Sequence, residues 1–370
     1  MRPESEAELA EMIRDAAAPL RVVGGGTRTI GGGGASEVLQ TGGLSGVTLY
    51  EPGALTLVAK AGTSLSEVER LLDASGQRLA FEPTDYRGLL GTDGDSTIGG
   101  VVAANASGPR RIQAGACRDF LLGVRFVDGL GNVVKNGGRV MKNVTGYDLV
   151  KLMAGSRGAL GVLTEVSLKV LPKPEAMACV MIEGLDDSAA VGAMSKGLTS
   201  PFDITGAAHL PSGPDGTPLT LLRIEGFAGS VDYRARQLAE LFAESSVRID
   251  NDPTSVAARW VQIRDVQPLQ NTAGDIWRIS CKPSDAPSLV GKLKPLAHLY
   301  DWGGGLVRAL LPEGTDARLQ LGHFDGHATR ERGNGTTPVF PPEPAPVAAL
   351  SRAIRQRFDP RGIFNPGTFH

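Results

Sequence analysis

Few side chains in this 370-residue chain can do acid–base or metal chemistry, and their spacing narrows that chemistry further. The 5 histidines are His209, His298, His323, His327 and His370. His323 and His327 stand four residues apart, the interval that sets two imidazoles on one helix face for a metal. Gly322 and Gly326 disfavour that helix, and no HExxH string is present, so no metal is expected. His209 and His298 have no polar company in their local sequence. His327, within Gly326-His327-Ala328-Thr329-Arg330, is the histidine best placed to face a cofactor or substrate, although the same string can equally shape a turn. The 3 cysteines, Cys117, Cys179 and Cys281, are far apart and form no CxxC pair. This argues against a zinc site, an iron–sulfur cluster and a disulfide framework, and for a reducing, cytoplasmic setting.

The other chemical resource is backbone. More than half of the 49 glycines precede Val162. Clustered glycine lets a ligand approach the main chain and lets successive N–H groups converge on one anion. Three clusters stand out: Gly24-Gly25-Gly26-Thr27-Arg28-Thr29; Glu82-Pro83-Thr84-Asp85 leading through Gly91 to Thr97-Ile98-Gly99-Gly100 and on to Gly108; and Gly155-Ser156-Arg157-Gly158-Ala159-Leu160-Gly161. A diphosphate is a natural guest of the first, which read alone is equally an ordinary surface loop. The second can lie along an extended ligand or pack helix on helix. No GxxxxGK[ST] string occurs, and Gly24-x-Gly26 is followed by neither the third glycine nor the helix of a Rossmann turn.

The elements that must carry these residues are legible in part. Residues 5–18 read as a helix capped by Ser5. Leu20–Val23 reads as a strand running into the first glycine cluster, and Leu55–Ala59 as another. A helix capped around Ser64 runs to Asp73. Strands at 124–127 and 133–135 flank a hairpin turn, Tyr147–Met153 is a short helix, and Val162–Leu171 is a strong strand closed by Pro172 and Pro174. Beyond that proline pair, strands (178–182, 219–224, 277–280) alternate with helices (188–198, 230–245, 284–296), the pattern of an α+β domain with an antiparallel sheet. Residues 332–346 read as a loop and 347–358 as a last helix. The expected domains are 1–172, 173–335 and a returning segment, 336–370. A net charge of −2 excludes a dedicated nucleic-acid binder. The acidic N-terminus does not read as a signal peptide, and no apolar run approaches a membrane span.

In this order the three clusters resemble the flavin domain of the vanillyl-alcohol oxidase/para-cresol methylhydroxylase (PCMH) superfamily, over about residues 15–172 and 359–367. Over nearly the full length the chain resembles the E-type subunits of bacterial three-subunit glycolate oxidases. The strings that carry this are Gly108-Pro109-Arg110-Arg111, Arg118-Asp119-Phe120-x-Leu122-Gly123, 140–149, Ile276-Trp277-Arg278-Ile279-Ser280, Asp301-Trp302-Gly303-Gly304 and Gly326–Arg330. The resemblance implies an α+β fold: a PCMH-type FAD-binding domain of two α/β subdomains, plus an α+β cap domain with an antiparallel sheet. It implies FAD held by Gly24, Gly25, Gly26, Thr27, Arg28, Thr29, Pro83, Thr97, Gly99, Gly100, Ala103, Asn105, Ser107, Gly108, Gly161, Val162 and Asn365. No histidine lies in residues 1–200 and Cys117 is the only thiol of the flavin domain, so non-covalent FAD is expected. The resemblance also implies oxidation of a small 2-hydroxy acid, glycolate to glyoxylate, with a D-type flavin subunit and an F-type iron–sulfur subunit as partners. Membrane association, if any, would come through those partners.

Oxidising a 2-hydroxy acid needs a cation for the carboxylate and a base for the hydroxyl proton. Arg110, Arg111, Arg278, Arg308 and Arg330 are candidates for the cation. Arg111 and Arg330 rank first because they sit in matched strings, and His327 is the candidate base. Lys142 and Asn143 are candidates to line the flavin pocket. The histidine and acidic residues of the substrate-side metal motif found in D-type subunits are not found here. One expectation is therefore that the main oxidation site lies in the D-type partner, with this chain relaying electrons or supporting assembly. The alternatives are a free-standing oxidoreductase and a cofactor-free structural subunit.

Overall fold

The computed structural model describes residues 1–28, 35, 37–139, 146–333 and 337–368. The chain divides into two compact units: Met1–Ser107 with Gly115–Lys173 and Pro342–His370, and Gly108–Ala114 with Pro174–Pro341. The second unit therefore includes a segment borrowed from the middle of the first.

In the first unit, helix Glu6–Asp15 starts where Ser5 Oγ accepts the Glu8 N–H at 3.2 Å, and it stops three residues earlier than the sequence pattern extends. It buries Leu9, Ala10 and Ile13 against Leu20, Leu39, Leu44, Val127, Val162, Ile363 and Phe364. Strand Leu20–Val23 pairs in parallel with Glu37–Gln40. On its other side the C-terminal segment docks: the Leu20 N–H donates to the Ile363 C=O at 2.7 Å, and the Asn365 N–H to the Leu20 C=O at 2.9 Å. The main sheet has 5 strands in the order Val47–Glu51, Thr56–Lys60, Val162–Lys169, Leu121–Val127, Val133–Gly137, antiparallel throughout. Helix Leu65–Asp73 is capped by Ser64 Oγ, which accepts the Glu67 N–H at 3.1 Å.

The second unit is built on an 8-stranded sheet in the order Ser246–Asp250, Ala176–Glu183, Leu219–Gly226, Ile204–Leu210, Ala297–Asp301, Leu306–Leu311, Asp275–Cys281, Gly326–Arg332. Every neighbouring pair is antiparallel. One face packs Val180, Leu222, Trp277, Ile279, Val307 and Ala328 against residues of helices Asp187–Leu198, Ala228–Glu240, Ala286–Leu293 and Ala317–Leu321. The expected helix 284–296 is shorter than its pattern. It ends at Lys294, which takes a φ of +45°, and the chain turns into strand Ala297–Asp301. Gly326–Arg330 forms edge strand rather than a turn. No helix among the described residues is long and apolar enough to cross a membrane.

His209 and His298 have the polar company their sequence neighbours lack. The two strands that carry them bring both imidazoles to Asp187, at the start of helix Asp187–Leu198. His298 Nε2 lies 2.9 Å from Asp187 Oδ2, the Tyr300 hydroxyl donates to the same oxygen at 2.8 Å, and His209 Nε2 is 3.6 Å from Oδ1. Burial alone would raise the Asp187 carboxyl, but the facing imidazoles and hydroxyl outweigh it and hold it well below the usual carboxylate range. A depressed folded-state pKa stabilises the fold above the unfolded pKa, about 4, and that stabilisation is lost as pH falls further. Asp187→Asn is expected to lower Tm at pH 7, with the gap to the parent narrowing below about pH 4 in a series of thermal melts.

Candidate functional site

A cleft of about 150 Å³ opens in the first unit where strand Leu20–Val23 gives way to the glycine run. Its wall is largely main chain. Gly25 passes so close to Asp95 that a Cβ there would fall on the Asp95 carbonyl oxygen, and a Cβ on Gly94 would fall on that of Gly25. Two loops can meet at this distance only without side chains. Opposite stands helix Ile98–Ala104, whose cap residue Thr97 accepts the Gly100 N–H at 3.3 Å.

Arg28 lines the cleft. Its Nη1 donates to Ser96 Oγ at 2.8 Å and its Nη2 to the Thr84 C=O at 2.9 Å. Its Nε is buried with no hydrogen-bond partner among the described residues. Asn365 closes the cleft from the C-terminal segment. Its Oδ1 accepts the Val22 N–H and its Nδ2 donates to the Arg157 C=O, each at 2.7 Å. It does so from a φ of +43°, which asparagine tolerates better than most residues. Asn365→Ala removes both bonds and leaves two polar groups of the cleft without that partner. A loss of about 1–3 kcal/mol is expected in urea denaturation.

The cleft brings together Gly24, Gly25, Gly26, Thr27, Arg28, Thr97, Gly99, Gly100, Ala103, Gly161 and Asn365. Other predicted residues lie elsewhere. Val162 is buried in the core beneath the cleft and Pro83 is buried near it, neither lining the wall. Asn105 and Ser107 fasten the loop that follows: Asn105 Oδ1 accepts the Arg118 N–H and Ser107 Oγ accepts the Cys117 N–H. Gly108 belongs to the second unit, where its C=O accepts the Trp302 Nε1–H at 3.1 Å. Thr29, Lys142, Asn143 and His370 fall outside the described residues. Arg157, Gly158, Val22 and Thr41 line the cleft although the sequence did not single them out as cofactor residues. A Cβ on Gly158 would sit 2.8 Å from Asn365 Nδ2, and its φ is +73°.

The predicted catalytic set separates within the second unit. Arg111 and His327 are neighbours in charge: the imidazole pKa is lowered by burial and then by the guanidiniums of Arg278 and Arg111. Arg330 does not join them. In the edge strand Arg330 pairs in register with Trp277, on the helix-covered face, whereas His327 pairs with Ser280 and Thr329 with Arg278 on the other. Successive strand residues point to opposite faces, so Arg330 and His327, three apart, diverge. Arg278, also among the sequence candidates, lies on the same face as His327. Two other candidates are committed to buried ion pairs: Arg110 to Glu225 at 2.8 and 2.6 Å, and Arg308 to Glu331 at 3.0 Å. Among the described residues no group of three histidine, cysteine or acidic side chains is placed to hold a metal.

A glycine-walled cleft with a buried guanidinium and a 5-stranded antiparallel sheet beside it defines a class before it defines a protein. A family model described as an FAD binding domain matches residues 1–137. A solved structure of alkyldihydroxyacetonephosphate synthase superposes with a TM-score of 0.73 over 99% of this chain and 76% of that one, at 16% identity, which speaks to the fold alone. The chain is a flavoprotein of the FAD-dependent oxidoreductases, with the PCMH-type fold and a second, antiparallel α+β domain.

Within that class the likeness narrows. The glycolate oxidase subunit GlcE of Escherichia coli is 37% identical over 329 residues, 88% of this chain and 85% of that protein. The glycolate oxidase subunit GlcD of Bacillus subtilis is 36% identical over 121 residues, 33% of this chain and 24% of that protein. The chain belongs to the GlcE family of glycolate oxidase subunits. The cleft fits the cofactor of that family: its main-chain wall can take an extended dinucleotide, and the Arg28 guanidinium, with its buried Nε, suits a diphosphate.

Proposed function

We propose that this chain is the FAD-binding subunit of a glycolate oxidase complex, which oxidises glycolate to glyoxylate and passes the electrons to an iron–sulfur subunit. The observation that carries this reading is the coincidence of a glycine-walled cleft with similarity to GlcE over 88% of the chain. A GlcD-like flavin subunit is the second partner, related to this chain over a stretch of 121 residues. The wide spacing of the 3 cysteines supports an outside carrier, since the chain has no cysteine pattern for a cluster of its own.

When bound, FAD supplies the two-electron acceptor. The chain's own residues do the rest. Main-chain groups of Gly24–Gly26 and of Thr97–Gly100, with Arg28, would hold the diphosphate end. Asn365 ties the C-terminal segment to strand Leu20–Val23. FAD is held without a covalent bond. Burial pushes the Cys117 thiol up to about 12, so it is a poor nucleophile for attachment. Acid precipitation is expected to leave the yellow flavin in the supernatant, and flavin retained on the polypeptide would refute this.

The complex is tested by co-expressing this chain with GlcD-like and iron–sulfur candidates, purifying through a tag on this chain, and counting flavin and iron per chain. Co-purifying iron supports the reading. A chain that turns over glycolate with an artificial acceptor, with no iron in any preparation, favours a free-standing oxidoreductase.

A further inference from the structure

On the second unit, two guanidiniums are gathered around one indole, and an imidazole shares the sheet face of one of them. The Arg111 Cζ lies 4.3 Å and the Arg278 Cζ 5.1 Å from the Trp302 ring centroid. Trp302 is held there by unusual means. Its backbone takes a φ of +55°, a left-handed conformation that a bulky residue rarely adopts. The side chain of Asp301, 1% exposed, accepts the Trp302 N–H at 2.7 Å. The indole Nε1–H donates to the Gly108 C=O, so the ring is tied to the segment that carries Arg111. One residue before Arg111, Arg110 is locked into the sheet by its two bonds to Glu225. Arg278 projects from the sheet face opposite the helices, next to Arg308, with Glu331 3.0 Å from Arg308 and 4.0 Å from Arg278. His327 lies one register step along the same face, paired with Ser280.

Bringing like charges against one ring is unfavourable, and backbone strain of this kind persists only where the surroundings over-determine it. Such strain marks functional sites, and gathered cations mark an anion. We infer that Arg111 and Arg278, set around Trp302, form with His327 on the sheet face of Arg278 a carboxylate receptor for a small 2-hydroxy acid, located on this chain rather than only on a partner. Guanidinium forks match the planar, singly charged carboxylate. Stacking on the indole fixes their planes. The imidazole, biased toward its neutral form by burial and then by its cationic neighbours, offers a nitrogen to the adjacent hydroxyl. The choice of a 2-hydroxy acid rests on the function proposed above, whereas the cationic cluster does not.

The test is equilibrium binding to the FAD-loaded, full-length chain under anaerobic conditions, by titration calorimetry and tryptophan fluorescence. Trp260 and Trp277 are buried, which leaves Trp302 as the most exposed of the three reporters. Glycolate is expected to bind saturably, and neutral glycolamide at least tenfold more weakly. Arg278→Gln and Arg111→Gln are each expected to weaken glycolate at least tenfold, Arg278→Lys several-fold, and His323→Gln not at all. Circular dichroism screens each variant for folding; Arg111 is exposed, so its variant remains readable if Arg278→Gln unfolds. Absent saturable binding, equal binding of glycolamide, or parent-like affinity in the folded Arg111→Gln chain would overturn the receptor. None of those results touches the iron count, so the complex and the receptor can fail separately.

Discussion

Gly25→Ala is expected to yield a colourless protein. A single methyl group at this position lands on the carbonyl oxygen of Asp95, a main-chain atom that no rotamer change can clear. The two loops must separate; one of them lines the cleft, and the other leads directly into Thr97 and the helix that also lines it. Overpacking of this kind typically costs about 1–3 kcal/mol even where side chains can give way. Because about 1.4 kcal/mol is a factor of ten in an equilibrium constant, flavin affinity should fall at least tenfold. The ratio of flavin to protein absorbance after gel filtration measures it. Gly42→Ala is the control, because a Cβ there meets nothing within 4 Å. A fully yellow Gly25→Ala protein would mean that the glycine run is an ordinary loop and that the cofactor lies elsewhere.

Glu225→Gln is expected to be among the most destabilising single-atom-scale changes in the second unit. Its carboxylate forms a two-pronged pair with Arg110, and the side chains are 2% and 6% exposed. Arg223 also comes within 3.9 Å of Glu225. Neutralising the acid removes the carboxylate charge opposite a buried guanidinium. Breaking one side of such a pair typically costs about 3–5 kcal/mol, whereas replacing both partners by apolar residues is often neutral. Urea denaturation should show the full loss in Glu225→Gln and substantial recovery in the double variant Arg110→Met with Glu225→Met. Loss of the same size in both would assign the effect to packing rather than to the stranded charge. Because Arg110 precedes Arg111, Glu225→Gln should also weaken glycolate binding at temperatures where the unit is still folded.

Local patterns carried the flavin half of the fold. The end of strand Leu20–Val23, the caps at Ser5 and Ser64 and the long strand from Val162 are each signalled by a few neighbouring residues. The glycine run marks a close main-chain approach, because no other residue type permits it, although alone it reads equally as a surface loop. The second unit was less legible, for two physical reasons. Strands such as Ala297–Asp301 and Leu306–Leu311 are buried on both faces, so they lack the alternation that marks a strand. The second reason is that sheet faces are decided by register. Gly326–Arg332 reads as polar throughout, and nothing in it says that Arg330 shares a face with Ala328 and Trp277 while His327 shares one with Arg278. Asp187 is a similar case, since it meets His209 and His298 only through strand order. Arg278 was visible as one arginine among several; what distinguishes it is Trp302, which is close in space and far along the chain.

The segment Gly108–Ala114 is cut out of one unit and sewn into the other. A fragment ending at Lys173 would retain Arg110 but not the Glu225 it pairs with, and a fragment beginning at Pro174 would have the reverse deficit. Neither unit can be obtained whole by severing the chain at the obvious proline hinge. During synthesis, those seven residues emerge long before the strands that receive them, so the second unit closes around a stitch made from the first half of the chain, and the first unit is complete only when Pro342–His370 follows. Folding and the assembly of the receptor are in this sense one event, and a defect in either should be felt as a defect in both.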